Sequence, residues 1–194
     1  MDALTNPQRL FTRSEVLVRP CPIPAVRGVY AWYFNEIPPD VLTDGCLSKD
    51  GHALLYVGIS PKNDASSENL RKRGSYHFRG NAEGSTLRLT RGALLASKSD
   101  FPLRRVGTGN RMTLTHLGEQ WLDGWMEENA RVCWVEHPEP WVLEDELLKS
   151  LSLPLNLQGN AHHPFSERLG KIRRAAKVAA REMAIASEGN QQRA

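Results

Sequence analysis

The residue at position 144 is a carboxylate where a side chain facing water is least expected. Along "WVLEDELLKSLSL", residues 141–153, a helical period puts Leu143, Leu147, Leu148 and Leu151 on one face and Asp145, Glu146, Lys149, Ser150 and Ser152 on the other. Glu144 falls in the middle of the apolar face. A carboxylate turned toward a core is costly unless it is paired, hydrogen-bonded or bound to a metal, so two readings stand: a buried salt bridge to an arginine, or a metal ligand. A second such residue is Arg73 in "SSENLRKRGSYHFRG", residues 66–80. Leu70, Gly74 and Phe78 mark the inward stripe there, and Arg73 and His77, four apart, share its edge. A guanidinium at that margin can reach a phosphate bidentately while its stem stays packed. His77 alone reads as a packed helix-edge histidine. In "LLYVGIS", residues 54–60, Leu54, Leu55, Val57 and Ile59 make a covered strand, but Gly58 has no side chain to pack, which implies that another group approaches the backbone. Tyr56 lies on the same strand face as Gly58; it reads as core with a surface hydroxyl or as part of a site.

The elements that must position these residues follow from turn and period signals. "VRGVYAWYF", 26–34, is a first strand opened by Gly28, and "ALLYVGIS", 53–60, a second. Pro-Pro and two Asp-Gly pairs between them predict a long, decorated connection. Residues 66–80 form a helix with Ser66 or Ser67 as N-cap and Gly80 as its stop, and 85–97 form another. A short hairpin is expected around Gly107 to Asn110. An amphipathic helix over 115–129 turns Leu117, Trp121, Leu122 and Trp125 inward, and "ARVCWVEH", 130–137, is a third strand. The helix of Glu144 ends at Pro154, and a basic helix runs from about Ser166 to Ala186.

The 194-residue chain carries a net charge of +3, unevenly spread. From Arg71 to Arg111 it is basic, and from Glu119 to Glu146 it is acidic. A basic surface beside an acidic pocket suits phosphate binding with a metal; two solvated faces are the plain alternative. No run approaches a membrane span and the N-terminus lacks the apolar centre of a secretory signal, so a cytoplasmic protein with no membrane partner is expected. Cys21, Cys46 and Cys133 form no C-x-x-C pair and suggest neither disulfides nor a zinc site. His162 and His163 are adjacent in a loop without further ligands and read as polar loop.

Taken in order, "GVY" (Gly28 to Tyr30), "YVG" (Tyr56 to Gly58), "LRKRGSYH" with Arg73 and His77, Glu144 and then "PLN" with Asn156 resemble the GIY-YIG nuclease family over roughly residues 26–156. The resemblance implies an α/β (α+β) domain, a small three-stranded antiparallel sheet flanked by helices, that cuts nucleic-acid phosphodiesters with one divalent metal, Mg2+ or Mn2+. It implies that Tyr30 activates the attacking water, Glu144 ligates the metal, Arg73 steadies the scissile phosphate, Tyr56 and His77 complete the pocket, and Asn156 fastens neighbouring backbone. Gly28 and Gly58 support the site. Departures are Val in place of Ile in both triplets and a longer connection between the signature strands.

The domain plan is an N-terminal extension over 1–25, a nuclease-like domain over 26–160 with insertions at about 35–53 and 81–129, and a basic helix and tail over 161–194. The 81–129 segment is expected to elaborate substrate binding. Nucleic-acid contacts are expected from Arg71, Lys72, Arg79, Arg88 and Arg91, and from the last helix, where Arg173, Arg174, Lys177 and Arg181 are read as one side and Leu169, Ile172, Ala176, Ala179 and Met183 as an apolar stripe. DNA is favoured over RNA. The rivals are a binding module of the same fold that cuts poorly or not at all, and an enzyme acting on RNA or a small phosphodiester. No zinc finger or helix-turn-helix points to a target, and the sequence carries no signal of oligomeric state.

Overall fold

A computed structural model describes residues 2–187. Its elements, in chain order, are α1 (Asp2–Thr5), α2 (Arg13–Leu17), β1 (Gly28–Phe34), β2 (Ser48–Lys49), β3 (His52–Ser60), α3 (Leu70–Arg79), α4 (Thr86–Leu94), α5 (Ala96–Ser99), β4 (Arg104–Val106), β5 (Arg111–Thr113), α6 (His116–Asn129), β6 (Ala130–Glu136), α7 (Pro140–Ser150) and α8 (Ser166–Glu182). Strands order as β2-β3-β1-β6, with β1 antiparallel to both neighbours, and β4 and β5 form a separate hairpin. The sheet thus has the three expected strands plus the two-residue β2, which the turn-rich connection contributes.

β1 is buried along its whole length, because side chains of both parities meet a covered face. Val29, Ala31 and Tyr33 pack with Leu4 of α1 and with Leu143 and Leu147 of α7. Tyr30, Trp32 and Phe34 pack with Leu70 and Phe78 of α3, Leu87 of α4, and Leu122 and Trp125 of α6. Tyr30 therefore faces α3, and the period of two fixes that choice for the whole strand. The segment expected to be an N-terminal extension packs on this core: Val16 and Ile23 are buried in it, and Phe11 bridges to Val132.

Three local expectations are corrected. α3 starts at Leu70 with Asn69 as N-cap, its side chain accepting from Lys72 N at 3.0 Å, and not at Ser66 or Ser67. The carbonyls of Val26 and Pro24 take the Leu70 and Arg71 amides, so the first turn finds partners in the segment before β1. In α6 the inward face is rotated: Leu117 is 57% exposed, whereas Glu119 is 2% exposed. The cause is Arg88, whose guanidinium lies 2.6 Å from Glu119 Oε2, while Glu119 Oε1 accepts from Ala82 N. α8 ends at Glu182, short of Ala186.

Candidate active site

Tyr30 is deeply buried, 3% exposed, and it lies directly opposite Gly58 in the β1–β3 register. A Cβ on Gly58 would sit 2.6 Å from the Tyr30 hydroxyl and 2.8 Å from its ring. The group that approaches the strand at Gly58 is thus the tyrosine across from it. Gly28 has a different reason: a Cβ there would meet the Val135 carbonyl at 2.1 Å and Leu70 at 2.7 Å. Tyr56, half-buried and two residues before Gly58, shares that face.

His77 is fully buried, with Nε2 2.9 Å from the Tyr30 hydroxyl and Nδ1 2.7 Å from Ser85 Oγ. Burial, with the Arg73 and Arg88 cations nearby, pushes the imidazole well below its usual value, so it is neutral at neutral pH. Two tautomers satisfy these contacts. In one, Tyr30 donates to Nε2 while Nδ1–H donates to Ser85; in the other, Ser85 donates to Nδ1 and Nε2–H donates to Tyr30. Either way His77 orients the Tyr30 hydroxyl from behind. Burial also raises the Tyr30 phenol above its usual value, and the neighbouring Arg73 opposes that rise.

Arg73 reaches the Gly84 carbonyl with Nη1 at 3.0 Å, and its charge acts on both Tyr30 and Tyr56. Glu144 enters from α7 and makes no hydrogen bond or ion pair among the described residues. The buried arginine partner that the sequence allowed is absent from the described residues. Burial raises the Glu144 carboxyl from 4.5 to about 7, and Lys62 opposes that rise. Asn156 is spent on backbone: its Oδ1 accepts from Val57 N at 3.0 Å and its Nδ2 donates to Val57 O at 2.8 Å. With Leu155 N donating to Leu55 O at 3.0 Å, it holds the loop after α7 against β3, next to Tyr56.

These side chains meet in a cleft of about 540 Å³, into which Tyr30, Tyr56, Arg73, Glu144 and Asn156 all open, together with Lys62 and Arg173. Hydroxyls, cations and one unpaired carboxylate make it a pocket for an anion accompanied by a hard cation. Among the described residues no three histidine, cysteine or carboxylate side chains gather. Magnesium fits the donors present: it keeps several waters and binds through one or two carboxylates plus substrate phosphate, and Glu144 is an unpaired carboxylate facing that space.

A family model for the GIY-YIG catalytic domain matches residues 28–175. The chain belongs to the GIY-YIG family. No curated protein and no solved structure matches it. The matched span opens at Gly28 and runs into α8, beyond the residues that carried the sequence resemblance. Membership carries a nuclease-type α/β fold with a small antiparallel sheet and, in general terms, an association with nucleic acid. Among the described residues no helix is long and apolar enough to cross a membrane.

Two of the expected nucleic-acid contacts in this GIY-YIG chain are corrected. Arg88 and Arg91 are completely buried. Arg88 pairs with Glu119 and, at 2.7 Å, with Asp123, and donates to the His77 and Phe78 carbonyls. Arg91 lies over the Phe34 ring, 3.4 Å from its centre, with Trp125 at 5.3 Å. The 81–129 insertion therefore directs these two cations into the core, where they brace α4 against α6 and β1. Arg71, Lys72 and Arg79 are exposed and line a hollow between α2 and α3. Arg71 donates to the Ile23 carbonyl at 2.7 Å and Lys72 to that of Ser67 at 3.3 Å. On α8, Arg174 is exposed and Lys177 is half-buried beside Arg181. Arg173 does not share their side but turns into the cleft. Lys62, just past β3, is a cleft residue that sequence reasoning missed; no period marks a lysine in a turn.

Proposed function

We propose that the chain is a metal-dependent endonuclease that hydrolyses nucleic-acid phosphodiester bonds, with DNA as its substrate. The observation that carries this reading is the unpaired Glu144 carboxylate sharing one cleft with Tyr30, Tyr56 and Arg73 in a GIY-YIG chain. In this reading Glu144 holds a single Mg2+ or Mn2+ together with the substrate phosphate. A bound divalent ion supplies Lewis-acid stabilisation of charge on the phosphoryl oxygens and lowers the pKa of a bound water. Arg73 binds the scissile phosphate, and its guanidinium is oriented by the Nη1 bond to the Gly84 carbonyl. Tyr30 helps activate the attacking water through its hydroxyl, which the buried, neutral His77 holds in place from behind. Tyr56 borders the same anion space.

Nicking of supercoiled plasmid with magnesium, with EDTA, and by Glu144→Ala purified in parallel tests the reading. The expected result is magnesium-dependent nicking, lost in the variant by roughly a hundredfold or more while duplex binding persists. A folded wild type that binds nucleic acid without nicking it would identify a binding module instead. Cleavage of RNA but not of DNA would reassign the substrate.

A further inference from the structure

α8 carries an arginine where its own pattern calls for an apolar residue. Arg173 stands four residues after the fully buried Leu169 and three before the half-buried Ala176, so it shares the inward face of the helix with them and with Ala180. It is half-buried, opens into the active-site cleft, and makes no hydrogen bond or ion pair among the described residues. Buried arginines elsewhere in this chain are neutralised or stacked, as Arg88 and Arg91 are. Arg173 has neither kind of partner. An unpaired guanidinium facing a cleft can take an anion, and its planar fork matches a phosphate.

Its place in the cleft is specific. The Arg73 charge acts on both tyrosines, whereas that of Arg173 acts on Tyr56. Arg73 enters the cleft from α3 and Arg173 from α8, so the two cations reach it from separate elements. The helix that delivers Arg173 is also fixed at both ends. Phe165 and Leu169 are buried at its start. Past its end, Arg105 donates to the Met183 carbonyl at 2.8 Å, Arg104 to that of Ala184 at 2.9 Å, and Ala186 N to the Arg105 carbonyl at 2.9 Å. The β4–β5 hairpin of the 81–129 insertion thus anchors the helix that completes the cleft.

We infer that Arg173 is a phosphate-positioning residue that grips a strand phosphate next to the scissile one, on the Tyr56 side of the cleft, so that the substrate must carry consecutive phosphodiesters. This inference rests on the nuclease reading given above. It assigns the basic last helix two separate jobs: Arg174 and Lys177 belong to its outer surface, whereas Arg173 belongs to the active site.

The test is binding of a fluorescein-labelled deoxyoligonucleotide duplex in EDTA across a salt series, followed by single-turnover cleavage in magnesium. The proteins are the wild type, Arg173→Ala, Arg173→Gln, Arg173→Lys and, as an equal-charge control, Lys171→Ala. Lys171 is exposed and paired with Glu167, away from the cleft. Loss of the Arg173 charge should weaken binding roughly 3- to 10-fold and reduce the slope of log affinity against log salt by about 0.9, the share of one duplex phosphate. Arg173→Lys should keep the slope, and Lys171→Ala should change neither quantity. At saturating substrate the cleavage rate of Arg173→Gln should fall less than its affinity does. An unchanged slope in both neutral variants, or an equal fall in Lys171→Ala, overturns the inference while leaving a nicking wild type intact. A rate loss at saturation larger than the affinity loss would place Arg173 on the scissile phosphate and overturn the flanking assignment. A wild type that neither binds nor cuts nucleic acid defeats the nuclease reading itself. Comparing melting temperatures across the set separates each result from a failure to fold.

Discussion

At the scale of single residues, the same signal marks both ends of the site: a charged side chain on the inward face of an amphipathic helix. Glu144 on α7 was legible this way, because four leucines define the face it interrupts. Arg173 on α8 gives the same signal more faintly. Its face is built mainly of alanines, whose weak contrast allowed Arg173 to be grouped with the outward cations. The burial that exposes Glu144 to chemistry also sets its titration. Its folded carboxyl is raised to about 7 from 4.5, so the native state holds that proton more tightly than the unfolded chain does. Stability from this group is complete below pH 4.5 and is lost as pH rises toward 7 and beyond. Lys62, Arg73, Tyr30 and Tyr56 face the same space, and Lys62 softens the effect. Melting temperatures of the metal-free wild type and Glu144→Gln should therefore coincide below pH 4.5 and separate as pH rises from there to about 7, with the neutral variant the more stable. Added magnesium should raise the wild type's melting temperature at pH 8 more than at pH 5 and leave Glu144→Gln unmoved. Parallel curves at all pH values would show that Glu144 is not desolvated in the folded protein.

At the scale of elements, periodicity and turn chemistry were sufficient for the strands and most helices, since β1 and β3 are bounded by glycine, turn and loop residues and β6 is a β-branched run closed by a loop. They were insufficient for the 81–129 insertion. A run of arginines reads as a surface because arginine is seldom buried, yet Arg88 and Arg91 take the inward face of α4. The deciding partners, Glu119, Asp123, Phe34 and Trp125, lie far along the chain or in another element, and no local period reveals them. This also explains the misread face of α6, where Leu117 reads as inward but the structure buries Glu119 instead. A buried pair of this kind is costly to break from one side. Glu119→Ala removes the carboxylate that takes Arg88 Nε and Nη2, leaving Asp123 and two carbonyls to hold the buried guanidinium, and should destabilise the protein by roughly 3 kcal/mol, read from urea unfolding. Because Arg88 also contacts the carbonyls of His77 and Phe78, the same variant should loosen the imidazole behind Tyr30 and lower activity even below its melting temperature. A loss under 1 kcal/mol would mean that the guanidinium finds water or Asp123 sufficient.

At the scale of the whole molecule, the cleft is assembled from parts that are distant in sequence: two strands, α3, the loop that Asn156 pins to β3, α7 and α8. The sequence plan drew a boundary near residue 160, because composition turns basic there and the minimal family pattern has ended. The helix beyond that boundary docks on the rest of the chain by its apolar side. Phe165, Leu169, Ala180 and Ala186 are buried, and α8 packs on α4 and β4. Chains cut after residue 160 would leave apolar seats on α4 and the hairpin open to water and remove the face that delivers Arg173. Losing Phe165 and Leu169 alone corresponds to roughly 5–10 kcal/mol of large-to-small core deletion, comparable to the whole stability of a domain this size. The truncated chain should melt well below the full chain, bind a hydrophobic dye, and fail to nick DNA even at temperatures where it remains folded. If the shorter form melted with the full chain and lost only affinity for nucleic acid, α8 would be a docked accessory and the catalytic unit would end where its signature motifs do.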